Sequence, residues 1–117
     1  MTKHNQNIGA WGEDMAAKWL AEHGHQILAR NIRTPYGEID IIAKKGGLII
    51  FVEVKTLTSS QKFFPEHNIT KRKREHMLNA AQHYTAKHEI DHWQIDVIAI
   101  EGSPGNNPII THFENAL

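Results

Sequence analysis

Hydrophobic and polar positions alternate along this chain with two different periods, and the switches between them outline the elements. Over residues 5–23 the apolar side chains Ile8, Trp11, Ala16, Trp19 and Leu20 fall on one helical stripe, and Gly24 follows where a helix-ending glycine belongs. Residues 26–33 then read as a strand, closed by the turn Thr34-Pro35-Tyr36-Gly37. Glu38-Ile39-Asp40-Ile41-Ile42 reads as a second strand. Leu48-Ile49-Ile50-Phe51-Val52-Glu53-Val54-Lys55 reads as a third, apolar on both alternating faces, as a strand covered on both sides must be. Lys44-Lys45-Gly46-Gly47 joins the two as a hairpin turn. Residues 56–68 are polar and read as an irregular loop. The helical period returns over residues 70–88, where Ile69, Met77, Ala80, Ala81 and Tyr84 share a face. Residues 92–100 form a further strand, residues 102–108 a loop, and residues 109–113 a short edge strand. The pattern predicts one α/β domain over residues 1–117, with a mixed central sheet flanked by helices.

The charges at the end of the third strand change the picture. Glu53 and Lys55 are two apart and therefore share a face. Burying such groups costs several kcal/mol, roughly, unless they are paired or bind a metal. An even-numbered hairpin loop sets position 40 opposite 51 or 53, so Asp40 joins them; a three-residue loop without a bulge sends Asp40 to the other face. Asp40, Glu53 and Lys55 together suit metal-dependent phosphodiester cleavage. A cross-strand ion pair on a wet sheet face is the plainer alternative. Glu13 lies on the first helix beside Gly9, Ala16, Ala17 and Leu20, a small-residue packing face where an unpaired carboxylate is out of place; a boundary glutamate reaching out to water is the alternative. Asp14 reads as surface.

Lys71-Arg72-Lys73-Arg74 opens the second long helix. Four cations there oppose the helix dipole, so local stability does not explain them. Phosphate binding does, and a merely solvated face is the competing reading. Lys73 aligns with Ile69, Met77 and Ala80, so its ammonium can reach toward the sheet. Lys71, Arg72 and Arg74 point outward.

Composition mostly excludes. There is no cysteine, hence no disulfide, thiolate metal site or cysteine nucleophile. Thirteen Lys and Arg balance thirteen Asp and Glu, so nucleic-acid binding must come from a local patch. The first residues carry no apolar segment of the signal-peptide kind, and the apolar run from Leu48 to Val52 is far below the roughly 18 residues that span a bilayer. A cytoplasmic protein without membrane contact is expected. The nine histidines are scattered without strong ligand spacing and are expected at the surface or partly buried.

Gly12-Glu13, Ala16, Arg30-Asn31, Gly37-Glu38-Ile39-Asp40, Phe51-Val52-Glu53-Val54-Lys55, Lys73, Ala80-Ala81 and Asp96 together resemble the YraN-type family of small bacterial proteins. That family has a restriction-endonuclease-like fold, and the likeness extends remotely to archaeal Holliday-junction resolvases. The resemblance runs from about Gly9 to Ile100. It implies that Asp40, Glu53 and Lys55 match a nuclease core motif, that Glu13 is an accessory helix carboxylate, and that Lys73 is the basic residue on the helix after the motif strand. Two departures touch substrate contacts: Leu57 stands where the family often has arginine, and Gln94-Ile95 where it often has Arg-Phe.

The expected function is hydrolysis of DNA, branched or structured DNA included, with Mg²⁺ or Mn²⁺ held by Asp40, Glu53 and the Val54 carbonyl. Lys55 then orients water or neutralises charge, and Lys71, Arg72, Lys73 and Arg74 grip the backbone. The alternatives are a non-catalytic nucleic-acid-binding module that keeps the fold, and an adaptor whose charges are only an ion-pair network. DNA is the expected partner, and a homodimer is left open.

Overall fold

A computed structural model of the protein describes residues 3–57 and 62–117. Helix α1 spans Lys3–Glu22, followed by strands β1 (Gln26–Thr34), β2 (Gly37–Lys45) and β3 (Leu48–Leu57). A single helical turn, α2 (Pro65–Asn68), precedes helix α3 (Lys71–Lys87), strand β4 (Trp93–Glu101) and strand β5 (Ile109–Phe113). The five strands form one sheet in the order β1-β2-β3-β4-β5. All neighbours are antiparallel except β3 and β4, which run parallel and are joined through α3. This is the α/β architecture with a mixed sheet and flanking helices that the sequence and the resemblance led us to expect.

The hairpin turn decides the fate of Asp40. Lys45 pairs with Leu48, which leaves a two-residue loop, Gly46-Gly47. Gly46 has φ +61°, a conformation open to glycine and suited to the tight turns that match strand twist. The register then runs Ile42↔Phe51 and Ile41↔Val52, so Asp40 comes opposite Glu53. The even-loop expectation holds.

Helix α1 covers one face of the sheet and α3 the other. Ala16 and Leu20 pack with Ile41, Ala43, Ile50, Val52, Ile98 and Ile100 under α1. Ala80 and Ala81 pack with Ile42, Phe51 and Ile95 under α3. β3 alternates between these two cores, which is why it reads apolar on both sides. Glu53 and Lys55 belong to the α3 face by alternation from Phe51. Ile39 and Ile42 both pack on that face, so the alternation of β2 breaks around Asp40, where the ladder with β3 also ends.

Two boundaries differ from the sequence reading. β3 continues through Thr56 and Leu57, because pairing with β4 extends to Leu57↔Glu101 and supplies hydrogen bonds that local polarity cannot reveal. α2 occupies part of the expected irregular loop, started by Pro65, whose fixed φ and missing N–H suit a first helical position. Residues 58–61 of that loop lie outside the described residues. α3 begins after Thr70, whose hydroxyl accepts from the Lys73 N–H at 3.1 Å.

Candidate metal and phosphate site

Asp40 and Glu53 meet at the end of the β2–β3 ladder. The Val54 N–H donates to Asp40 Oδ2 at 2.8 Å, so a side chain takes over from a backbone acceptor there. The two carboxyl groups are close enough that each affects the other's titration. Burial pushes the Glu53 carboxyl up to about 7, and the Asp40 charge pushes the same way. Lys73 Nζ lies 3.3 Å from Glu53 Oε1 and opposes both effects without overcoming them. Burial also raises Asp40; the Val54 N–H and Lys73 hold it back. Glu53 has a side chain only 19% exposed against 49% for Lys73, so the carboxylate is desolvated while its cation is half wet.

A second layer of charge borders this pair. Burial first, and Asp40 second, raise the Glu13 carboxyl above its usual range. With its amide oriented so that the nitrogen faces the two carboxylates, Asn31 donates to Glu13 Oε1 at 2.8 Å and to Glu38 Oε1 at 3.0 Å. Asn31 sits across from Asp40, between the pairs Arg30↔Ile41 and Ile32↔Ile39, with φ +53°. Asparagine is among the side chains that tolerate this backbone region, and the kink aims its amide at both carboxylates. α1 reaches this corner because Gly12 lies against the Thr56 hydroxyl, where any Cβ would collide. The sequence reading had Asn31 and Glu38 only as landmarks of the resemblance and gave neither a role. Two-residue alternation from Asp40 could have found Glu38; the kink at Asn31 leaves no such trace.

The expected cations divide. Lys73 reaches the carboxylates. Lys55 is exposed and, with Lys73 and Glu53, lines a cleft of about 320 Å³ that also includes Phe63 and Thr70. The ammonium in contact with Glu53 is therefore that of Lys73, from α3, and not that of the strand lysine. Lys71 and Arg72 are exposed at the start of α3. Arg74 departs from its expected outward position: it is half-buried, and its buried Nε has no hydrogen-bond partner among the described residues. The helical turn carries it round toward the body of the protein. Asp14, expected as plain surface, is exposed but pairs with Arg30 at 2.8 Å.

A different set of metal-capable side chains lies under α1. Asp96, His112 and Glu114 can each offer one ligand atom within 4.8 Å of the others. Asp96 is fully buried. Its Oδ1 accepts from Gln94 Nε2 and from the Asn115 N–H, both at 2.8 Å, and its Oδ2 pairs with His112 Nε2 at 2.7 Å. Trp19 Nε1 donates to His112 Nδ1 at 3.4 Å, which fixes the tautomer with hydrogen on Nε2. A cation here would have to break bonds that already satisfy both oxygens. Scattered histidines gave no hint of this, since His112 meets Asp96 only through the β4–β5 pairing.

Residues 12–100 match the family described as Uncharacterised protein family UPF0102. A UPF0102 protein of Syntrophotalea carbinolica is 42% identical over 118 aligned residues, covering 99% of this chain and 95% of its own. Another from Geobacter metallireducens is also 42% identical, covering 99% and 96%. One from Chlorobaculum parvum is 47% identical over 98 residues, covering 81% and 75%. A solved structure, Pyrococcus furiosus SfsA in complex with Ca²⁺, aligns at TM-score 0.40 and 13% identity over 91% of this chain, which spans 61% of that protein's length. With its match covering Glu13, Asp40, Glu53 and Lys73 alike, the chain belongs to the UPF0102 family.

Proposed function

We propose that this protein is a metal-dependent nuclease acting on DNA, including branched or structured DNA. The observation that carries the reading is the Asp40–Glu53 pair: two desolvated carboxyl groups in mutual contact, both raised, with one half-exposed lysine between them and solvent. Such a pair is short of positive charge. Hard oxygen donors of this kind fit Mg²⁺ or Mn²⁺, with the Val54 carbonyl adjoining them and Glu13 bordering. When bound, the cation supplies Lewis-acid charge and lowers the pKa of water.

The chain's own groups do the rest. Asp40 is fixed by the Val54 N–H, which accounts for one of its oxygens and leaves the other for a cation. Asn31 holds Glu13 and Glu38 in place against their mutual repulsion. Lys73 neutralises Glu53 in the resting protein and becomes available to a phosphate once another cation takes that role. Lys55, on the same sheet face, would meet charge developing on the phosphate. Lys71 and Arg72 would hold the flanking backbone, helped by the free N–H groups of the α3 start.

The Lys73–Glu53 contact also favours a second reading, since it partly balances the site without any metal: a nucleic-acid-binding module that keeps the fold without the chemistry. One experiment separates the two. Linear, flapped and four-way DNA are incubated with Mn²⁺, with Glu53→Ala alongside. Cleavage by the wild type, lost by at least about a thousandfold in Glu53→Ala, supports the nuclease. No cleavage of any substrate, with binding persisting in EDTA, supports the module.

A further inference from the structure

Glu53 and Lys73 line two separate hollows, one on each side of their ion pair. The pair is thus a saddle. The hollow on the Lys55 side is the larger, at about 320 Å³, and mixes Lys55, Asn68 and Thr70 with Phe63, Ile69 and Val97. The one on the other side is smaller, about 80 Å³, with a floor of Ile39, Phe51, Ala80 and Ile95. Three features of this second hollow stand unexplained by metal or phosphate chemistry. Its floor is apolar, while the groups it adjoins are charged. Its mouth carries Tyr36, a large aromatic side chain left 46% exposed. Its lining includes Glu38, one oxygen of which is held by Asn31 and the other of which has no hydrogen-bond partner among the described residues.

We infer that this hollow receives one unpaired pyrimidine base of a nucleic-acid strand whose phosphate crosses the Lys73–Glu53 saddle. The inference rests on the nuclease-site reading above and deepens it by naming the substrate's form. Size comes first. About 80 Å³ accommodates on the order of half a dozen waters, at about 10–15 Å³ each, which is the scale of a single six-membered ring and its substituents and not of a base pair. Chemistry comes second. A base offers two flat apolar faces and a polar edge. The faces suit Tyr36 and the adaptable Met77 at the wall; the edge, with an amino or imino N–H, suits the Glu38 carboxylate. Connectivity comes third. Phosphate and base of one nucleotide are neighbours, as the saddle and the hollow are. A base stacked in a duplex cannot enter, so the site takes a nucleotide that is already unpaired, as at a flap, a gap or a junction.

The test uses two small probes in EDTA, so that neither metal binding nor cleavage enters the result. Deoxycytidine 3′,5′-bisphosphate carries one base between two phosphates. Its base-free analogue, 1,2-dideoxyribose 3,5-bisphosphate, carries the phosphates alone. Affinities and amide shifts are read by NMR titration of the full chain. The base should strengthen binding at least about fivefold, the low end for stacking of one base, with shifts at Ile39, Phe51 and Met77. Tyr36→Ala, at an exposed turn position whose ring meets His83 edge-on, should remove most of that advantage while leaving the base-free probe unchanged. Equal affinities, no binding of either probe, or shifts confined to the first turn of α3 would overturn the assignment. Cleavage in Mn²⁺ alongside base-independent binding would remove the pocket and keep the nuclease. Base-dependent binding without cleavage would do the reverse.

Discussion

Two carboxylates are buried side by side in this sheet and have opposite fates. Asp96 pairs with Val52 across the β3–β4 ladder, one position away from Glu53, yet it faces α1 while Glu53 faces α3. Asp96 is the more deeply buried of the two. Depth does not make it the reactive one, because Gln94, Asn115 and His112 donate to both its oxygens. Glu53 has one lysine at 3.3 Å and a second carboxyl group against it. The lesson is that donor supply, rather than burial, separates a fully paired carboxylate from one left short of positive charge.

The largest effect should come from removing the structural one. Asp96→Ala deprives the His112 N–H, the Gln94 amide and the Asn115 N–H of their buried acceptor. It should cost about 2–4 kcal/mol in urea unfolding. A loss below about 0.5 kcal/mol would mean that Asp96 is as poorly supported as Glu53, and the contrast would fail.

Next comes metal. At 100 times its Kd, a divalent cation that binds only the folded state stabilises by about 2.7 kcal/mol. Mg²⁺ or Mn²⁺ should raise the Tm of the wild type, more at pH 8 than at pH 6, because the Glu53 carboxyl must give up its proton near pH 7. Asp40→Asn should lose most of this shift. Equal shifts in both proteins would point to weak, diffuse binding or to the Asp96 cluster.

The third effect has the opposite sign from the first. Glu53 holds its proton more tightly when folded than its ordinary value of 4.5 allows. Its stabilising contribution is therefore complete below about pH 4.5 and lost as pH rises through about 7. Asp40 and Glu13 are raised too and act in the same direction. The metal-free protein should lose on the order of 2 kcal/mol between pH 5 and 8, and Glu53→Gln should flatten that slope and raise stability at pH 8. A slope unchanged in Glu53→Gln would show that Lys73 already balances this carboxylate.

How much of this was legible beforehand follows from how local each signal is. Register through a two-residue glycine turn was enough to set Asp40 against Glu53, although the alternation of β2 breaks between Ile39 and Ile42. The 3.6-residue period was enough to aim Lys73 inward and Lys71 and Arg72 outward. Arg74 was misread because the same period, counted from Ile69, says nothing about how far the body of the protein wraps around the helix. Asp96 could be marked as a landmark but not explained, since its donors come from β4, β5 and the chain after β5. The Asn31 bridge was invisible for a similar reason: a left-handed residue within a strand breaks the alternation on which the reading depends.

The smallest effect tests whether the two faces differ for nucleic acid as they do for carboxylates. Lys71 and Arg72 are exposed on α3, the helix that covers the Glu53 face; Lys18 is exposed on α1, the helix that covers the Asp96 face. Lys71→Ala with Arg72→Ala should weaken DNA binding in EDTA and lower the slope of log K against log salt by up to about 0.9 per lost duplex contact, or about 0.7 on a single strand. Arg74 is left intact, because its buried Nε would confuse a loss of grip with a loss of fold. Lys18→Ala should change neither affinity nor slope. The double variant should still show the metal-dependent rise in Tm, since it removes phosphate contacts and leaves Asp40, Glu53 and Lys73 untouched. If Lys18→Ala weakens binding as much as the double variant does, nucleic acid is drawn to the protein's cations at large, and α3 has no special claim on the phosphate that the saddle would receive.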